Sequence, residues 1–231
     1  MKWGSKDVLA QLKSEGLSVW SIGSPVGKYK ISDSFDKERE RFLRVLDNAY
    51  AMEAKCIRLF SFFGVETREQ KDEALYRLSE FVNMAKGSGV VLCHENEKGI
   101  YGDRAETCLE IHKAVPELRA VFDPANFVQC GQEIMSAWES LSSFVYYMHA
   151  KDALANGNVV PVGHGLGCWD KIASLYLEKG GEVFSLEPHL RVFSGLSALQ
   201  DEELKTEYSY ASADEAFAAS ADAMKNILKN A

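Results

Sequence analysis

Four short segments of the 231-residue chain each place a metal-capable side chain just beyond an apolar run. They are Val90-Val91-Leu92-Cys93-His94-Glu95, Leu118-Arg119-Ala120-Val121-Phe122-Asp123, Phe144-Val145-Tyr146-Tyr147-Met148-His149 and Val183-Phe184-Ser185-Leu186-Glu187. The runs are rich in β-branched and aromatic residues, as strands are, and helical patterns separate them. Parallel strands joined by helices send their C-terminal ends to one face, so Glu95, Asp123, His149 and Glu187 are expected to converge there. Two glutamates, an aspartate and a histidine form an oxygen-rich set with one imidazole. Such a set suits one divalent ion, Mn²⁺ or Mg²⁺ before Zn²⁺ or Co²⁺, better than a structural zinc. Each residue alone has an ordinary reading: Glu95 a solvated loop carboxylate, Asp123 the start of an Asp-Pro turn, His149 a hydrogen-bonded core histidine, Glu187 a loop charge. Their equivalent placement in successive units is what argues for a joint site.

Other residues could serve the same mouth. Lys151 lies two positions beyond His149, so on a strand it points to the same side; it either reaches a substrate oxygen or lies on the surface. Arg58, within Cys56-Ile57-Arg58-Leu59-Phe60, is costly inside a strand unless paired, and a carboxylate partner is expected. The run Pro161-Val162-Gly163-His164-Gly165-Leu166-Gly167 has the composition of a phosphate cradle ahead of a helix starting near Trp169. A tight strand-to-helix loop or a flexible lid has the same composition.

The elements that must position these residues follow from periodicity. Strands are predicted over 17–22, 56–62, 90–95, 118–123, 144–149 and 183–187. Helical stripes recur at Phe42, Val45, Leu46, Ala49 and Tyr50, at Leu75, Leu78, Val82 and Ala85, and at Phe217, Ala221, Met224 and Leu228. Thr67 with Gln70, Asp103 with Glu106 and Ser212 with Glu215 have capping-box spacing. Strands alternating with helices imply an α/β fold, either an open doubly wound sheet or a (β/α) barrel. Ser21-Ile22-Gly23-Ser24-Pro25-Val26-Gly27-Lys28 is a poor dinucleotide fingerprint. Chemistry at the ends of four strands favours the barrel. No composition break divides the chain, so residues 1–231 are read as a single domain.

Hydrophobic content of 46% and charged content of 26% are those of a soluble globular protein. The net charge of −8, with no basic stripe, argues against nucleic acid as a partner. No apolar run approaches the roughly 20 residues of a membrane span, and no signal-peptide hydrophobic region follows Met1-Lys2-Trp3-Gly4. Cys56, Cys93, Cys108, Cys130 and Cys168 show no CxxC spacing and read as reduced thiols of a cytoplasmic protein.

The order of several motifs resembles the sugar phosphate isomerase/epimerase family, with its xylose isomerase-like TIM barrel. They are Ile22 to Lys28, Ile57-Arg58-Leu59-Phe60, Leu92-Cys93-His94-Glu95-Asn96, Phe122-Asp123-Pro124-Ala125-Asn126, His149-Ala150-Lys151-Asp152, Pro161 to Gly165 and Leu186-Glu187-Pro188-His189. The resemblance implies that Glu95, Asp123, His149 and Glu187 hold one divalent metal and that Glu95 and Glu187 act as acid and base. It also departs from the family. Many ketose epimerases have a histidine three residues beyond the metal-binding aspartate, where this chain has Asn126. Their arginine after the metal-binding histidine has no counterpart, and His164 stands where an acidic residue is usual between the first two glycines. The family barrel has eight strands and this chain offers six, so its first two βα units are expected to be missing.

The implied activity is a metal-dependent isomerase or epimerase that moves a proton next to the carbonyl of a small sugar or sugar-like substrate. Arg58, Asn126, Lys151 and His189 are the candidate substrate-binding residues. A dehydratase or lyase begins with the same proton abstraction, and a catalytically degenerate metal- or sugar-binding protein is the third reading. Exposed barrel edges would call for a cover: a helix, the N-terminal segment or a partner chain, with a homodimer as the expected one.

Overall fold

A computed structural model describes residues 4–190, 208 and 210–231. The described residues hold eight α-helices, among them α1 (Ser5–Ser14) and α6 (Ile134–Leu141), and eight strands, which alternate except where α6 follows another helix and three strands follow α6. Six parallel strands follow in chain order: β1 (Ser21–Gly23), β2 (Cys56–Leu59), β3 (Val91–Glu95), β4 (Arg119–Phe122), β5 (Val145–Ala150) and β8 (Phe184–Leu186). β1 pairs parallel with β2 and β2 with β3. β4 pairs parallel with β5 and β5 with β8. All six predicted strands are present. The stretch from Leu17 to Trp20 lies ahead of its strand, and the strand at 56 stops at Leu59. A small antiparallel pair, β6 (Asp152–Ala153) with β7 (Val159–Val160), follows β5. No helix among the described residues is long and apolar enough to cross a membrane.

The chain divides into two compact units. The first runs to Glu95 and includes Gly99–Tyr101 and Glu110–Arg119; the second holds Asn96–Lys98, Gly102–Leu109 and the described residues from Ala120 on. In the first, α2 (Phe35–Ala51) and α3 (Arg68–Ala85) lay Phe42, Ala49, Ala74, Leu78 and Phe81 against Ile57, Leu59 and Leu92. The buried stripe of α3 includes Ala74 and Phe81, with Leu75 and Val82 at its margin. Tyr50, predicted on the inner stripe of α2, is 76% exposed. Thr67 and Gln70 close a reciprocal capping box, the side chain of each accepting the other's backbone N–H. Gly27 seats the loop after β1 over the end of β2. A Cβ there would fall 2.1 Å from the Phe60 carbonyl oxygen, and its φ of 84° adds strain for any other residue.

In the second unit α7 (Trp169–Glu178) and α8 (Ala213–Asn230) cover Phe122, Met148 and Ala150. The inner face of α8 is Ala216, Ser220 and Met224, one position round from the stripe the sequence suggests, and Phe217 is exposed. Ser212 caps α8 through the Glu215 N–H as its spacing predicts. α4 (Ala105–Ala114) starts two residues beyond Asp103, so Arg104 takes the position directly ahead of the helix. All five cysteines are free thiols, and Cys56, Cys93 and Cys108 are buried.

The strands separate packing from chemistry by their two-residue period. Ile57, Leu59 and Leu92 pack towards the helices in the first unit, as do Phe122, Met148, Ala150, Phe184 and Leu186 in the second. Arg58, Cys93 and Glu95, and likewise Asp123, His149, Lys151 and Glu187, have the opposite parity.

His94 is a polar residue on the helix-facing side of β3. Its Nε2 lies 2.9 Å from Ser61 Oγ, and its ring meets that of His112 edge-on at 5.8 Å. His112 Nδ1 donates to the Leu118 carbonyl at 3.0 Å. Burial holds the His94 imidazole down at about 3, helped by the neighbouring His112. Burial lowers His112 to about 4, against the Leu118 bond, which raises it. Both rings therefore take up protons more readily in the unfolded chain, near pH 6.5. Stability they allow at neutral pH is lost as pH falls from about 6.5 through about 4, at up to roughly 1.4 kcal/mol per pH unit for each ring. Urea-unfolding midpoints measured from pH 7.5 to 4.5 are expected to fall accordingly. The acid limb should flatten in His94→Gln; a limb of unchanged slope would remove the histidines as its source.

Candidate metal centre

Asp123 directly follows β4 and caps α5 (Pro124–Gln129), with Pro124 at the first helical position, where a missing N–H costs nothing. Its Oδ1 accepts the Asn126 N–H at 3.0 Å. Its Oδ2 is buried and accepts no hydrogen bond. The Asp-Pro turn and the ligand role are thus compatible, one oxygen serving each. Asn96, immediately after β3, fixes the backbone around it. Asn96 Oδ1 accepts the Asp123 N–H at 2.9 Å, and its Nδ2 donates to the Asp123 carbonyl at 2.9 Å. Asn126 Nδ2 donates in turn to the Asn96 carbonyl at 2.8 Å. In the sequence Asn96 is marked only by its place directly after a strand-end glutamate; its burial and its partners come from the fold.

β5 brings His149, and Lys151 lies just beyond its end. The Tyr147 ring lies edge-on to the His149 imidazole at 5.4 Å and supports its orientation. His149 Nδ1 is 3.6 Å from Asp123 Oδ2 and 3.4 Å from Glu187 Oε2. Lys151 Nζ is 2.9 Å from Asp123 Oδ2 and 4.0 Å from Glu187 Oε2, a charge pair without the alignment of a hydrogen bond to that aspartate oxygen. Glu187 follows β8, whose entry is fixed by Tyr176: its hydroxyl accepts the Glu182 and Val183 N–H groups at 3.2 Å each. His189 Nε2 lies 4.0 Å from Glu187 Oε2. Asp123 is fully buried, whereas the Glu187 side chain keeps 26% exposure, so the second carboxylate is the one a substrate can reach.

Glu95 ends β3 and pairs with Arg58 of β2, Nη1 to Oε2 at 2.6 Å. The guanidinium also lies over the Phe60 ring, 4.5 Å from its centroid. The carboxylate partner expected for Arg58 is therefore Glu95. Asp123, His149 and Glu187, all of the second unit, are side chains able to hold a metal ion, the first two buried. The ligand atoms of Asp123, His149 and Glu187 lie within 4.8 Å of one another. Ligands on opposite sides of a divalent ion are separated by about 4–5 Å, twice a metal–oxygen distance. With a buried carboxylate oxygen that accepts no hydrogen bond, this donor set fits a hard or borderline divalent cation.

The sequence profile of the xylose isomerase-like TIM barrel family matches residues 3–226. The chain belongs to that family. Among curated proteins no sequence relative matches. Solved structures share the fold at low identity. One is the IolI protein with a bound zinc atom, at 15% identity, a TM-score of 0.77, and coverage of 99% of this chain and 82% of the other. Another is D-psicose 3-epimerase with D-tagatose from Clostridium cellulolyticum H10, at 15% identity, a TM-score of 0.74, and coverage of 97% and 82%. A third is the probable 3-DHS dehydratase AsbF of Bacillus anthracis, at 16% identity, a TM-score of 0.73, and coverage of 96% and 81%.

In this xylose isomerase-like chain the glycine run already holds an anion, and that anion is its own. The Asp152 carboxylate accepts the N–H groups of Gly163 and Gly165 at 2.9 Å each, and those of Gly167 and Ala153 at 2.8 Å each. The cradle geometry suggested by Pro161 to Gly167 is real, but an internal carboxylate fills it in place of a phosphate. A Cβ at Gly165 would lie 2.4 Å from both Asp152 Oδ1 and the Ala153 carbonyl oxygen, which explains the glycine. Burial raises the Asp152 carboxyl above the usual range, with the four N–H donors pulling the other way. Asp152→Ala strands several buried donors at once, so it should cost on the order of 3–5 kcal/mol, read as a lower urea midpoint. A loss below about 1 kcal/mol would mean that water replaces the carboxylate and that the loop does not depend on it.

Proposed function

We propose that this protein is a divalent-metal-dependent isomerase or epimerase that transfers a proton next to the carbonyl of a small sugar or sugar-like substrate. The observation that carries the reading is the convergence of Asp123 Oδ2, His149 Nδ1 and Glu187 Oε2, with one buried carboxylate oxygen accepting no hydrogen bond. Membership of the xylose isomerase-like family supports it. Glu95, Asp123, His149 and Glu187 would hold the ion, Mn²⁺ or Mg²⁺ before Zn²⁺ or Co²⁺. When bound, it supplies Lewis-acid polarisation of a carbonyl and a template for the adjacent hydroxyl.

The protein's own groups do the rest. Glu187, partly open to solvent, removes the proton on the carbon next to the carbonyl. Glu95, held by Arg58, returns a proton on the opposite face or at the neighbouring carbon. Arg58 orients the Glu95 carboxylate and offers its remaining donors to substrate oxygens. Lys151 and His189 flank Glu187 and orient the substrate. Asn126 acts beside them by fixing Asn96 and through it Asp123.

Glu187→Gln keeps an oxygen ligand but cannot carry the proton. Turnover of a ketose panel, followed by solvent deuterium entering the carbon next to the carbonyl, should fall by about 10²–10⁴-fold with metal content largely kept. His149→Ala should instead lose most of its Mn²⁺, read by elemental analysis of the purified protein. Equal and small effects of both changes would refute these roles. Water loss with new ultraviolet absorbance would assign the site to a dehydratase. Bound metal with no turnover would assign it to a binding protein.

A further inference from the structure

Lys151 stands where a second cation is least welcome in a metal centre. Its Nζ is 2.9 Å from Asp123 Oδ2 and 4.0 Å from Glu187 Oε2, the two carboxylate oxygens that the metal reading assigns as ligands. The side chain is only 3% exposed, so the ammonium has given up most of its hydration. Its backbone is clamped on three sides. The Lys151 N–H donates to the His149 carbonyl at 3.0 Å. The Lys151 carbonyl accepts the Trp169 indole N–H at 3.2 Å. The next residue, Asp152, is pinned by the glycine loop. The main chain at 151 is therefore fixed, and only the flexible four-carbon stem can move.

We infer that Lys151 is a tethered counter-ion to the metal ligands, so that a divalent cation binds only by displacing its ammonium from Asp123 Oδ2 and Glu187 Oε2. The inference rests on the metal reading of the site. Asp123 and Glu187 carry two negative charges, enough to balance one divalent ion or to overcompensate one ammonium, but not to hold both at the same oxygens. Two cations within a few ångströms in a poorly hydrated site repel strongly. The ammonium must swing away as the ion enters. Its fixed backbone keeps it at the rim beside Glu187 and His189, where it can meet an anionic or hydroxyl oxygen of the substrate. Lys151 thereby sets the affinity for metal as well as helping to position substrate. It also keeps the buried carboxylates compensated when no ion is bound.

Titration calorimetry of Mn²⁺ into metal-stripped protein tests this, using wild type, Lys151→Met, Lys151→Gln and Lys151→Arg. The two neutral variants should bind Mn²⁺ about tenfold or more tightly than wild type, because the tethered competitor is gone. Lys151→Arg, which keeps the charge, should bind no more tightly than wild type. Thermal melting gives a second readout: the neutral variants should melt lower than wild type without metal and gain more on adding Mn²⁺. A neutral variant that folds only in the presence of Mn²⁺ supports the inference. If wild type binds Mn²⁺ and both neutral variants bind equally or more weakly, the tethered counter-ion is refuted while the metal reading stands. If wild type and both neutral variants take up no Mn²⁺, the metal reading fails and this inference falls with it.

Discussion

Buried carboxylates are tolerated only where a cation or a set of N–H donors compensates each one, and this constraint organises the chain. Glu95 has Arg58, drawn from the neighbouring strand. Asp123 has Lys151 on one oxygen and the α5 N-terminus on the other. Asp152 has four backbone N–H groups. Each compensating group comes from a different kind of element: a strand, a strand end, a helix start and a glycine loop. Losing any one would leave a buried charge behind, so the acidic residues dictate the local backbone as much as they depend on it.

The division of labour along each strand follows from the same constraint. One side of β2, β3, β5 and β8 is apolar and is covered by helices. The other side carries Arg58 and Glu95 in the first unit, and His149 and Lys151 in the second. A one-residue slip would exchange the two sets and bury the charges among helices, which makes register here a matter of electrostatics as well as packing. The helix-facing exception is His94, which meets His112 of α4, and burial keeps both rings neutral.

The loops are where rigidity is supplied to the chemistry. Asn96 and Asn126 bind the backbone around Asp123 so that one carboxylate oxygen is fixed as a helix cap and the other is left for a ligand. The Asp152 anchor does the same for the segment after His149 and Lys151. Tyr176 fixes the entry to β8 by taking two backbone N–H groups, and Gly181 is obligatory beneath its ring, where a Cβ would fall 2.3 Å from the nearest ring atom. None of these groups needs to touch a substrate, yet each limits how far a ligand atom can stray.

Much of the architecture was legible in the amino-acid order because it rests on local periodicity. The six strands, the Thr67 cap, the helix beginning at Trp169 and the four strand-end ligand candidates all follow from hydrophobic spacing and short-range capping chemistry. The family motifs were equally legible, since they are short and contiguous. Tertiary structure decided what depends on partners distant in sequence. It selected Glu95 for Arg58, placed Lys151 against Asp123, and revealed Asn96 as the brace of that aspartate. It also turned the inner face of α8 to Ala216, Ser220 and Met224 in place of Phe217. The glycine run shows the limit most clearly. Its composition specifies backbone N–H groups able to surround an anion, but not which anion. Only the fold brings Asp152 into the cradle, because its carboxylate reaches the donors of Gly163, Gly165 and Gly167 through space, across a hairpin that no local pattern encodes.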